Sequence, residues 1–232
     1  MVTGALAVLL VLTASWAVKL AQLVRSVDAN AAYWSQPRGG AGGLLYVALG
    51  DSAAQGIGAS EPDQGYVGLI AQRLRDSTGR AVQVVNLSTS GARIGDVLDT
   101  QLAALDALPQ TPDVVTVAVG GNDIQAYDRA TFEAQTDQLT AALPPGTYVA
   151  DVPYFMHGRW QRDAAQAAGH LRTSATERHL RPVPLHDALE AQGWRAMLTQ
   201  YAADWFHPND RGHRVWADAF WSRISAADER LS

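Results

Sequence analysis

The chain has 232 residues, of which 47% are apolar and 18% charged, and its formal net charge is -5. That is enough length for one domain and enough apolar content for a sizeable core, which excludes disorder; scattered Lys and Arg exclude the basic footprint of a nucleic-acid binder. With no cysteine, disulfides, thiolate zinc sites and a cysteine nucleophile are excluded together.

Val2 to Val18 carries no charged side chain, and Lys19 and Arg25 follow it. This predicts an N-terminal membrane-seeking helix over residues 1–35, with Leu20, Leu23, Val24 and Val27 continuing it amphipathically. A single-pass anchor in the cell membrane is the first reading. A signal peptide cleaved near Ser15 and Ala17, giving a secreted protein, is the second. Cations on the C-terminal side alone favour a cytoplasmic domain, but two charges leave the side of the membrane open. Residues 36–43 (QPRGGAGG) break both helix and strand and read as a flexible linker.

The catalytic domain is expected over 44–232. Leu44–Leu49, Val82–Leu87, Val114–Val119, Thr147–Val152 and Pro182–His186 read as strands, mostly Val-rich and without alternation, as in parallel strands buried on both faces. Tyr66–Arg75, Ile94–Leu108, Phe132–Leu143, Trp160–Arg178 and Asn209–Ile224 carry helical apolar spacing. Alternating strand and helix predicts an α/β protein: a three-layer α/β/α sandwich on a five-stranded parallel sheet in the flavodoxin-like order. Ligands of such sheets bind beyond the carboxyl ends of the strands. Gly50-Asp51-Ser52, Asn86 to Gly91 and Gly120 to Asp123 follow the first three strands, and Asp204 to Asn209 precedes the last helix.

A serine hydroxyl needs a base to take its proton, and the base needs a third group to hold its tautomer. Ser52, His207 and Asp204 can supply all three, because a three-residue spacing puts Asp204 and His207 on one side of a turn. An oxyanion would need donors fixed in advance, and the N–H groups of Ser52 and Gly91 with the Asn122 amide form the candidate set. Gly91 allows close backbone approach, and Asn122 donates without adding charge.

Together these segments resemble the SGNH hydrolases, the GDSL-type esterases and lipases. The Ser block is similar to GDSAAQGIGAS over 50–60, the Gly block to NLSTSGA over 86–92, the Asn block to GGND over 120–123 and the His block to DWFHPNDRGH over 204–213. The resemblance spans 44 to about 224. It implies Ser52 as nucleophile, Ser52, Gly91 and Asn122 as oxyanion donors, His207 as base and Asp204 as its orienting partner. Ala53 stands where the family name has Leu, which weakens inference toward a subfamily and leaves the chemistry intact.

Blander readings stand beside these. A bare Gly-Asp-Ser is more often a turn or helix cap than a nucleophile. Asn122 can serve a turn, and Asp204 can cap one while a carbonyl orients the histidine. Asp51 and Asp123 read as structural acceptors for nearby N–H groups, and His213 as a helix-face residue. Tyr154, Phe155, Trp205 and Phe206 either line an acyl pocket or belong to the core. A phosphate loop needs Lys and Ser or Thr where Ile57 and Gly58 stand, GxSxG is absent, and no HExxH pair offers a zinc cage.

The expected function is therefore hydrolysis of carboxylic esters, as esterase, lipase or deacetylase, through an acyl-enzyme on Ser52, with no cofactor and no metal. Acyl transfer from the same intermediate and a catalytically silent carbohydrate- or lipid-binding module are the alternatives. Expected partners are a small-molecule, lipid or acylated-sugar ester and, through the N-terminal helix, the membrane; no protein or nucleic-acid partner is indicated.

Overall fold

A computed structural model describes residues 2–156 and 158–227, with the backbone alone for 2–12. Its sheet has six strands: β1 (Arg38–Gly39), β2 (Leu44–Gly50), β3 (Val82–Asn86), β4 (Val114–Ala118), β5 (Tyr148–Ala150) and β6 (Arg181–Val183), in the order β1-β3-β2-β4-β5-β6. The last five are parallel in the expected flavodoxin-like order. The sheet is nonetheless mixed and not five-stranded. Arg38–Gly39, inside the stretch read as a linker, pairs antiparallel with Gln83 and Val84. A composition that disfavours a strand does not forbid two residues from closing the hydrogen bonds of an open sheet edge.

Helices cover both faces. The alternation along β2 divides the core: Leu44, Tyr46 and Ala48 face one layer, and Leu45, Val47 and Leu49 the other. The first layer is closed by α2 (Tyr66–Thr78) and α9 (Asp210–Ala227), where Tyr66 stacks on Phe220 with ring centroids 5.3 Å apart. The second holds a helical stretch over 94–106, made of α3 (Ile94–Asp96), a π turn (Val97–Gln101) and α4 (Leu102–Asp106), followed by α5 (Arg129–Ala142) and α6 (Gly158–Glu177). Asp128 caps α5 by accepting from the Thr131 N–H at 2.9 Å. Short α7 (Leu185–Glu190) and α8 (Ala196–Thr199) lead to the His block.

The N-terminal residues form α1 (Val2–Trp34), one continuous helix. Among the described residues no helix is long and apolar enough to cross a membrane. The expected membrane anchor, and with it a membrane partner, is therefore not supported. The side chains of 2–12, which carry much of the apolar run, lie outside the described residues. From Leu20 onward the helix leans on the protein, with Leu20, Leu23, Val27, Asn30 and Trp34 at alternating three- and four-residue steps on the covered face. Val24, expected on that face, is 65% exposed.

Candidate active site

Ser52 lies two residues past β2, in a loop whose residues 50–57 are all buried. Gln101, at the end of the π turn, holds the strand end: its Oε1 accepts from the Gly50 N–H and its Nε2 donates to the Gly50 carbonyl, both at 2.8 Å. Asn86 donates to the Ala54 carbonyl at 2.8 Å and accepts from the Ser88 N–H, tying the Ser block to the Gly block. At the loop's far end, a Cβ on Gly58, whose φ is +93°, would stand 2.3 Å from the Pro208 carbonyl, so only glycine lets the Ser and His blocks approach this closely.

That approach brings together residues 155 positions apart: the Ser52 Oγ and His207 Nε2 are 2.9 Å apart, and His207 Nδ1 meets Asp204 Oδ2 at 2.5 Å. The network assigns the hydroxyl as donor to Nε2 and Nδ1–H as donor to the carboxylate. The other Asp204 oxygen accepts from the Phe206 and His207 N–H groups, each at 3.1 Å, across a turn in which Trp205 has φ of 59°. One Asp204 oxygen thus braces the turn and the other faces the imidazole. Burial pushes its pKa upward, but the hydrogen bond and charge of His207 and the two backbone donors prevail and hold it below the usual carboxylate range.

The Asn122 Nδ2 donates to the Ala92 carbonyl at 2.9 Å, which fixes the amide and leaves its second N–H available. Gly91 is exposed with φ of +82°, and a Cβ there would meet nothing within 4 Å. Its backbone conformation therefore favours glycine, and open space lies beside it. Asp51 and Asp123 accept from the Ala53 and Ile94 N–H groups, and burial raises each to about 6.

His213 departs from the expected helix-face position. It is fully buried, its Nδ1 accepts from the Tyr66 N–H at 3.3 Å, and its Nε2 donates to the Ile57 carbonyl at 3.1 Å. Burial depresses its pKa to about 4, so the ring is a neutral strut beneath the Ser loop.

A cleft of about 270 Å³ opens beside Ser52 and His207. Tyr154, Phe155, Trp205 and Phe206 all line it, together with Met156, Trp160, Met197, Tyr201 and Trp216, which sequence reasoning did not single out. Gly91 and Asn122 are not among its lining residues, whereas Ser52 and Gly121 are. The missed supports differ in legibility. Asn86 and Gln55 stand inside the quoted blocks, but Gln101 looks like any polar residue of a helix. Among the described residues no group of His, Asp and Glu is arranged to hold a metal ion.

Residues 48–215 match the GDSL-like Lipase/Acylhydrolase family. The chain is 26% identical to the GDSL-like esterase Rv1075c of Mycobacterium tuberculosis over 79% of its own length, and spans 62% of that protein's length. Among solved structures it is similar to LAE5, an alpha/beta hydrolase enzyme from the metagenome of Lake Arreo, Spain (TM-score 0.63, 24% identity, 80% of this chain and 96% of that one). It is also similar to Axe2, an acetylxylan esterase from Geobacillus stearothermophilus (TM-score 0.61, 23% identity, 82% and 96%). A match over this much of the chain, with the four blocks gathered at one sheet edge, shows that the protein belongs to the GDSL-like Lipase/Acylhydrolase family, in agreement with the resemblance carried by the motifs.

Proposed function

We propose that the protein cleaves carboxylic esters through an acyl-enzyme on Ser52 and that its acyl site prefers apolar chains. The observation that carries this is the hydrogen-bonded series from Ser52 through His207 to Asp204, opening on an aromatic cleft.

Ser52 Oγ attacks the carbonyl carbon as His207 Nε2 takes its proton, and the Asp204 carboxylate stabilises the imidazolium that forms. The developing oxyanion is held by the N–H groups of Ser52 and Gly91 and by the free N–H of Asn122. Collapse returns the proton from His207 to the departing alcohol and leaves Ser52 acylated. Water, deprotonated by the same imidazole, then releases the acid.

The cleft wall of Tyr154, Phe155, Trp160, Met197 and Trp216 suits hydrocarbon, since burying each methylene there gains about 0.8 kcal/mol, about fourfold in kcat/KM. A series of p-nitrophenyl esters tests both parts. Turnover should rise from acetyl through longer acyl chains until the cleft is filled, and Ser52→Ala should abolish it. A rate that falls steadily beyond acetyl would reject the apolar acyl site, and full activity in Ser52→Ala would reject the acyl-enzyme. Adding alcohol acceptors and analysing products separates capture by water from capture by alcohol.

A further inference from the structure

Asn30 and Trp34 stand one turn apart near the end of α1, and both are buried. Both donate to the same acceptor, the Gln55 carbonyl, at 2.9 and 3.1 Å. Gln55 lies in the Ser loop three residues after Ser52, and its own buried side chain reaches the other way. Its Nε2 donates to the Ser88 carbonyl at 2.9 Å, and its Oε1 accepts from the Ser90 hydroxyl at 2.5 Å. Gly91 follows Ser90 directly. Further up α1, the Trp16 indole donates to the carbonyl of Ala203, the residue before Asp204, at 2.8 Å. One helix therefore grips the loop of the nucleophile and the loop of the histidine.

We infer that α1 is a positioning element of the ester-cleaving site: Asn30 and Trp34 set the Gln55 bridge that fixes the loop carrying Gly91. The inference rests on the acyl-enzyme reading above. Gln55 has its carbonyl doubly engaged and both ends of its amide satisfied, so its place is overdetermined while α1 is docked. An oxyanion donor acts only where the negative charge will develop, and displacement by a fraction of an ångström is felt in the rate. The C-terminal part of α1 thus belongs with the catalytic unit.

The test is the kinetics of an Asn30→Ala, Trp34→Phe double variant, which removes both donors and keeps an aromatic ring at 34. Its kcat on a p-nitrophenyl ester should fall about tenfold with KM within twofold, because the acyl cleft is untouched. Gln55→Ala should fall at least as far, and Ser35→Ala, whose hydroxyl bonds only the Ala32 carbonyl among the contacts described, should match wild type. If the double variant fails to fold, Trp34→Phe alone is read the same way, with a smaller loss of kcat expected. Unchanged kcat in folded variants, or a loss confined to KM, overturns the role. A wild-type chain without ester turnover would remove the acyl-enzyme reading itself, and with it this role, so the unmutated protein distinguishes the two failures.

Discussion

Asp204 divides its work between its two oxygens, one bracing the turn and the other facing the imidazole. Asn122 spends one of its two amide hydrogens on the Ala92 carbonyl and, among the described residues, leaves the other without a partner. Replacing Asn122 by Ala should lower kcat by about 100- to 1,000-fold with little change in KM, measured by steady-state hydrolysis; a change in KM alone would assign it to ground-state binding. His213 gives a pH prediction with a definite sign. Its folded pKa is depressed from 6.5 to about 4, so the unfolded chain binds more protons between those values. The stability that the neutral ring contributes is complete above pH 6.5 and is lost as pH falls toward 4. Urea titrations of His213→Gln should therefore show a stability deficit at pH 7.5 that shrinks steadily toward pH 4.5, and a constant deficit would mean that the ring does not titrate in this window. Ser52, His207 and Asp204 were legible because their chemistry and spacing are written in one-dimensional blocks. His213 was not, since its position in the last helix gives no hint that the ring closes over Ile57, 156 residues away.

At the scale of elements, the parallel strands announced themselves as apolar runs because both faces of β2 and β4 are covered. β1 did not, because a strand of two residues, one of them Gly39, is too short to show a pattern and its pairing is supplied by the edge of β3. The helix expected over 94–108 is real but widens into a π turn at Val97–Gln101, at the point where Gln101 reaches Gly50. Such turns recur at functional sites, and helical periodicity alone cannot foretell them. The α2 and α9 pair depends on aromatic stacking: Phe220 is fully buried and lies against Tyr66, which is itself stacked on Trp216 at 5.5 Å. Phe220→Ala should cost about 3 to 5 kcal/mol in urea unfolding, the range for an aromatic ring removed from a packed core. A loss under 1 kcal/mol would show that this layer can collapse around the gap.

For the whole molecule, the decisive fact is convergence. The α/β winding carries the Ser, Gly and Asn blocks to the same sheet edge, and after β6 the short helices α7 and α8 lead the chain back so that the His block lands opposite Ser52. The same winding explains what the N-terminus does. Read in isolation its apolar run suggests a membrane, yet Trp16, Asn30 and Trp34 hydrogen-bond to the loops of the site, contacts that no periodicity could reveal. The claim on which everything else depends is that Ser52 becomes covalently acylated. Treatment of the full chain with a fluorophosphonate, followed by peptide mapping in a mass spectrometer, reports this directly. A single adduct on Ser52, abolished in His207→Ala, is the predicted result; an unmodified Ser52 in folded protein, or an adduct at another serine, would contradict it.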